Sequence, residues 1–469
     1  MIHNFFTLVT RHWLSLLGLV IAVVGAVLMA MLFVMELSGF DGGPYLGILT
    51  YMVLPMVLVT GLVLIPVGVM RKRKLEARAA AAHQAPPRLP LIDLNDERTR
   101  GVVLVSLVVG LIAAVVLAAA TYRGVKEMET VAFCGTTCHT VMQPEHTAFL
   151  RSPHSRLTCA NCHIGTGADW FVKSKLSGSW QLIAVALKIY PTPIPSPVHN
   201  LRPARETCEQ CHWPTKHVGD RLQVRSKFAD DETNTESKTV ILMKVGGQQG
   251  STSSGIHWHV DPGVKIRYLT DRTRQKVYDI EHTAPDGKVK LYKTDDKPDG
   301  PTEWRAMDCV DCHNRPSHTF KMPAQELDAA MGDGRIDKKL PFIKREGLRV
   351  LQASYASHEE AREGIAREIE KFYKDKYPAV SSGQAGAVAA AGKALGDMYT
   401  WNVFPKMKVT WGTYPNNLGH SDEAPGCYRC HDKRHSTAQG DKIGRNCKTC
   451  HAVLAEDEPD PEILKKLKP

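Results

Sequence analysis

Three runs of the chain contain no charged residue and no histidine: Trp13 to Met35, Tyr45 to Met70 and Gly101 to Tyr122. Each reaches the length, about 20 residues, that a helix needs to cross the hydrocarbon core of a bilayer. A soluble protein would need a core large enough to cover every face of all three. A cleaved secretion signal is shorter than the first run and leaves the other two unexplained. The pattern predicts a membrane anchor of three helices over residues 1–122.

Beyond Tyr122 the pattern changes. Short alternating runs at Val240 to Val245, Ile256 to Val260, Lys265 to Leu269, Lys276 to Ile280 and Lys288 to Tyr292, with a Pro285-Asp286-Gly287 turn before the last, predict a small antiparallel β module within 216–300. Residues 324–398 read as helical, with Ser357 and Glu360 as a capping box ahead of Ile365, Ile369 and Phe372 on one face. Ala379 to Gly396 is Ala/Gly-rich and reads as a helix or a linker. By contrast, 123–215 is poor in apolar periodicity, so its packing must come from something besides side chains.

Charge sets the orientation. The stretch Arg71 to Arg100 holds eight Lys or Arg, whereas Glu36 to Pro44 holds none and carries Glu36 and Asp41. The excess of Lys and Arg places the 71–100 loop in the cytoplasm. Three crossings then put the N-terminus in the cytoplasm and everything from Arg123 onward in the periplasm of a bacterium. The whole fold class is therefore a multi-pass protein of the cytoplasmic (inner) membrane with a large periplasmic domain, mainly helix and loop.

All 12 cysteines lie in that periplasmic part, as six pairs: Cys134/Cys138, Cys159/Cys162, Cys208/Cys211, Cys309/Cys312, Cys427/Cys430 and Cys447/Cys450. The second cysteine is followed each time by histidine: His139, His163, His212, His313, His431 and His451. Six such coincidences arise by chance roughly once in 10⁸. A C-x-x-C-H segment attaches c-type haem: the thiols form thioethers to the porphyrin and the histidine ligates its iron. Five pairs have that spacing, and Cys134-Gly-Thr-Thr-Cys138-His139 has one residue more. Zinc sites and disulfides account for paired cysteines but not for a histidine after every pair. The arithmetic predicts six covalently bound c-type haems. They divide the periplasmic chain into a three-haem module (123–215), the β module, a fourth haem segment (301–323), the helical segment (324–398) and a C-terminal two-haem module (399–469).

Haem also changes the reading of charge. The formal charge is +10, and propionates, about two per haem, offset it, so basicity gives no reason to expect nucleic acid. None of the three apolar runs carries a histidine, so a haem inside the bilayer has no ligand there and electrons must enter at the membrane surface. Iron that only carries electrons needs a sixth ligand, and the periplasmic part has eleven histidines besides the six of the motifs. His154, His257, His259, His318, His420 and His435 are the first candidates, with His199 and His217 behind them. On a strand, His257 and His259 would point to one side. His318 and His435 follow a motif histidine too closely to reach the same iron and suit a neighbouring one. Met142 is a candidate ligand of the first haem.

A membrane span, then a Cys-His motif with Met142 and Pro144 just beyond it, then Ser152-Pro153-His154, Cys159-Ala-Asn-Cys162-His163, Phe171, Lys173 and Cys208-Glu-Gln-Cys211-His212-Trp213-Pro214 resemble the NapC/NirT (NrfH-like) family of membrane-anchored multihaem cytochromes. The resemblance covers roughly 107–215. The longer layout, with Gly255-Ile256-His257-Trp258-His259 and the C-terminal haem pair, resembles extended members from metal-respiring bacteria. It implies oxidation of menaquinol or ubiquinol from the membrane quinone pool, and delivery of the electrons to a periplasmic cytochrome or reductase in anaerobic respiration. It also implies a quinol site using a lysine and an acidic residue, which Asp169, Lys173 and Lys175 match loosely. The chain departs from the family core, which has one anchor helix and four haems. Two other functions stay open on sequence: a terminal reductase of nitrite or another oxyanion, and a non-catalytic subunit of a larger respiratory complex. A homo-oligomer is compatible with either.

Overall fold

A computed structural model of the chain describes residues 12–37, 53–82, 95–137, 139–165, 167–198, 201–212, 219–246, 248–249, 252–253, 255–420 and 424–467. The chain divides into two compact units, 1–129 with 164–180, and 130–163 with 181–469.

The first unit is built on long apolar helices: α1 (Trp13–Leu37), α2 (Leu54–Ala81) and α3 (Glu97–Glu127). Of these, α1 over Trp13–Leu32 and α2 over Leu54–Ala81 are long and apolar enough to cross a membrane. Their apolar side chains face outward, as with Val27 at 60% and Met56 at 66% exposure, the opposite of a helix in a soluble core. Contact between α1 and α2 rests on small residues. A side chain added at Gly61 would lie 2.5 Å from the Ala22 nitrogen and one at Gly18 would lie 2.7 Å from the Gly61 carbonyl, so only glycine lets the backbones approach this closely. Ser15 Oγ donates across the seam to the Ile65 carbonyl at 3.1 Å. The basic cluster Arg71 to Lys74, expected in a loop, extends α2 as helix; residues 83–94 of that loop lie outside the described residues. The third expected run is helical too: α3 starts at Asp96, whose carboxylate accepts from the Thr99 amide at 2.8 Å.

The second unit opens with α4 (His139–Leu150), and α5 (Ala168–Ala186) runs from the first unit into the second. Then come β1 (Arg221–Phe228), β2 (Glu236–Met243), β3 (Lys265–Asp271), β4 (Val277–Thr283), β5 (Val289–Lys293) and β6 (Thr302–Ala306). Five helices follow, α6 (Pro323–Gly332), α7 (Ile343–Leu351), α8 (His358–Lys376), α9 (Pro378–Gly383) and α10 (Ala385–Asn402), and near the end β7 (His451–Glu458). One antiparallel sheet has the order β5-β4-β3-β6 and another β1-β2-β7. The expected turn joins β4 to β5, with Gly287 at φ 82°, a left-handed position that favours glycine. Strands β1, β6 and β7 went unanticipated, and β7 brings the last Cys-His motif to the sheet edge.

One expected strand is a helical turn. Ile256 to Val260 forms a 3₁₀ turn because Gly255 sits at φ 70°, packed so that a side chain there would meet the Lys244 carbonyl at 2.5 Å. At three residues per turn, His257 and His259 diverge instead of sharing a side.

Helices α6 to α10 enclose an apolar core of their own, with Leu327, Leu340, Ile343, Leu351, Ile365, Ile369, Leu395 and Met398 sealed from solvent. At the start of α8, Ser357 Oγ accepts from the Glu360 amide at 3.1 Å, while the Glu360 carboxylate accepts from the Ala356 amide at 2.7 Å, one residue earlier than a capping box requires. The Ala/Gly-rich stretch from Ala379 to Gly396 is helical, within α9 and α10. Gly392 and Gly396 let α10 approach α8 at Ala366 and Arg362.

Candidate haem-binding sites

The six Cys-His motifs meet in chain order, all within the second unit. The Cys159 thiol is pushed well above its ordinary range, first by a hydrogen bond shared with Cys134 and then by burial. Burial and then Cys208 and Cys211 push Cys162 up, which joins the second motif to the third. Cys309 is raised by its hydrogen bond with Cys208 and then by burial, joining third to fourth. Cys312 is pushed up to about 11 by burial and next by Cys427, and Cys430 to about 12 by burial. Burial and then Cys427 raise Cys450, so the fifth motif meets the sixth. Such thiols are protonated at neutral pH.

Around these thiols the histidines pair. His154 faces His212 with ring centres 6.0 Å apart, and His318 faces His163 at 6.2 Å. His259 faces His431 at 5.8 Å, and His420 faces His451 at 6.2 Å. Every pair combines one motif histidine with one candidate from elsewhere in the chain. Two imidazoles ligating one metal from opposite sides, through bonds of about 2 Å, put their ring centres roughly 6 Å apart. Among the described residues no three of His, Cys, Asp and Glu gather as a zinc cage would need. Two protein ligands per site suit an ion whose remaining four come from a porphyrin.

The far ring nitrogens are held by the fold. His259 Nδ1 lies 2.8 Å from the Ile256 carbonyl, a contact within its own 3₁₀ turn, and His431 Nδ1 lies 2.7 Å from the Gly444 carbonyl. His318 Nδ1 lies 3.0 Å from the Glu145 carbonyl. A ring whose Nδ1–H is engaged in this way presents Nε2 to a metal. Burial, ahead of any other influence, lowers His163, His259, His313 and His318 below the usual imidazole range, keeping them neutral as ligands must be. His435 is fully buried, with Nδ1 2.9 Å from the Asp432 carboxylate and Nε2 without a hydrogen-bond partner among the described residues. An orphaned imidazole nitrogen in a dry site costs free energy unless a metal or donor meets it, so the residues present fit haem iron.

The other expected residues are placed less tightly. His257 lies in the 3₁₀ turn beside His259. Met142 is half-buried on α4, one turn beyond His139. Cys138, His199 and His217 lie outside the described residues, as do the side chains of His139 and Asp169. Asp169, Lys173 and Lys175 all belong to α5, where Lys173 Nζ stands 4.4 Å over the Trp170 ring.

Sequence reasoning passed over the residues that clamp the motifs. Asp311, inside the fourth motif, is 2% exposed and accepts from Tyr268 Oη and Arg305 Nε, both at 2.7 Å. Its carbonyl accepts from Arg429 of the fifth motif at 2.5 Å. A carboxylate in the variable part of a Cys-x-x-Cys was the available signal.

Cys-His motifs that meet in chain order, with imidazoles paired about 6 Å apart, are the features of a c-type cytochrome. The chain belongs to the NapC/NirT cytochrome c family: the model of that family's N-terminal region matches residues 97–193. The cytochrome c-type protein ImcH of Geobacter sulfurreducens is 39% identical over 464 residues, which is 97% of this chain and 90% of the relative. No solved structure matches this chain. It is thus a haem-binding electron-transport protein whose apolar N-terminal helices fit a membrane anchor.

Proposed function

We propose that this protein oxidises quinol at the outer face of a bacterial cytoplasmic membrane and passes the electrons through six c-type haems to a periplasmic acceptor. α1, α2 and α3 make three crossings, with the N-terminus in the cytoplasm and the motifs in the periplasm. The observation that carries the reading is the set of four histidine pairs, 5.8 to 6.2 Å apart, strung along motifs that meet in chain order. Imidazoles paired in this way would both ligate one iron, which favours conduction over a terminal reductase with an open coordination site. Haem iron supplies one-electron transfer, cycling between ferric and ferrous.

The chain's own residues do the rest. His154, His318, His259 and His420 serve as distal ligands of the third, second, fifth and sixth haems, and His435, buried and backed by Asp432, is a ligand in waiting for a further iron. Asp169 and Lys173 lie four residues apart on one face of α5. They and Lys175 bind the quinol head group, and as its two electrons leave, the carboxylate accepts its two protons in turn and releases each to water. The apolar rings of Trp170 and Trp180 on the same helix suit a membrane-facing quinol pocket.

Detergent-extracted protein mixed with a menaquinol analogue tests this. The expected result is full appearance of reduced low-spin haem bands, slowed on the order of 10²-fold in Lys173→Ala while reduction by dithionite is unchanged. Intact haems that quinol leaves oxidised would point instead to a non-catalytic subunit.

A further inference from the structure

Among the paired histidines, His318 has an unusual neighbour. Its Nδ1 lies 3.0 Å from the main-chain carbonyl of Glu145 and 3.2 Å from that residue's own carboxylate Oε2. The other Nδ1 contacts within the four pairs go to main-chain carbonyls: Ile256 for His259, Gly444 for His431 and, at 3.4 Å, Pro316 for His154. The Glu145 carboxylate is held in place by Arg315, with Nη2 3.1 Å from Oε1 and 3.4 Å from Oε2. Arg315 is itself fixed: its guanidinium lies 4.3 Å from the Tyr414 ring centre and 5.2 Å from that of Phe320. Its Nε donates to the His318 carbonyl at 2.9 Å. One arginine thus sets both the backbone that carries His318 and the carboxylate that meets its ring.

We propose that Glu145 is a positioning residue for the second haem, orienting His318 opposite His163 and lowering that haem's reduction potential relative to a site backed by carbonyls alone. The inference rests on the axial pairing of His318 with His163 proposed above. The physical cause is ligand basicity. The Nδ1–H is held by the Glu145 carbonyl, and the carboxylate charge 3.2 Å from the same nitrogen favours positive charge on the ring and makes Nε2 a stronger donor, which stabilises ferric over ferrous iron. Arg315 tempers this charge without removing it: its Nη2 lies nearer Oε1, at 3.1 Å, than Oε2, the oxygen that meets the ring, at 3.4 Å, and the half-buried setting weakens screening by water. The second haem would then accept electrons less readily than the same site would without the carboxylate.

The test is a redox titration, followed optically and by electron paramagnetic resonance, of the full-length membrane-extracted protein and three variants. Glu145→Gln keeps the side chain's shape and the main-chain carbonyl but loses the charge. One haem is expected to become easier to reduce by about tenfold in its ferrous to ferric ratio at a fixed poise, which is 59 mV for one electron, while the others stay put and all signals remain low-spin. Glu145→Asp, which keeps the charge beside Arg315, should shift the same haem in the same direction by less, and it serves if the Gln variant fails to accumulate. His318→Ala separates the two layers of argument. If it leaves every low-spin signal intact, the axial pairing is wrong. If it removes one such signal while both Glu145 variants leave every midpoint unmoved, the pairing stands and the role of Glu145 is overturned.

Discussion

At the scale of single residues, a histidine's role in this protein is set by the local backbone more than by its place in a motif. His257 and His259 are two residues apart and diverge around the turn, and His259 lies across from a motif ring, 5.8 Å from His431. The reason is Gly255, which turns the chain so that Ile256 to Val260 winds as a 3₁₀ turn and closes the His259 Nδ1 contact within itself. His259→Ala should therefore convert one haem from low-spin to high-spin, whereas His257→Ala should leave the fifth haem's signal in place. Electron paramagnetic resonance of the oxidised protein reads the difference directly. A high-spin signal from both variants would mean that the turn, and not the ring of His259, is what the fifth site needs.

At the scale of elements, helices α6 to α10 stand apart from the haem-binding stretches because they close on side chains alone. Leu395 is fully buried there against Leu327 and the helix-crossing positions of α7 and α8. Leu395→Ala should cost about 3 kcal/mol of unfolding free energy without reducing the haem attached per chain, measured as a lowered Tm beside an unchanged pyridine haemochrome yield. Much of this region was legible in the sequence. Ser357 does cap α8, and Ile365 and Ile369 do share its buried face, since a local hydrogen bond and a 3.6-residue period are written in neighbouring positions. The strand pattern was readable for β2 to β5 for the same reason, alternation over a few residues and a Pro-Asp-Gly turn. What could not be read was non-local. β7 pairs with β2 across more than 200 residues of chain, between Met243 and His451 among others, and no periodicity foretells such a partner. The candidate site divides the same way. The thiol pairs and their histidines announce themselves by spacing, but which distant ring faces which, and that Glu145, Arg315 and Asp311 hold them, depends on closure of the whole unit.

At the scale of the whole molecule, the Cys-His motifs of the second unit meet in space in the order in which the sequence carries them. That order has a physical origin. Each Cys-His motif is short, the segments linking the first three are short too, and the fourth and fifth are drawn together by Asp311 and Arg429 across 118 residues. In the proposed conduit, consecutive tethering would keep neighbouring porphyrins close enough for electrons to pass. A six-haem conduit requires every motif to be occupied, including Cys134 to His139 with its extra residue. The direct measurement is the intact mass of the full-length protein purified from membranes. The predicted result is the polypeptide plus six haems. The bare polypeptide mass, or a mass with fewer haems from a fully matured preparation, would contradict it.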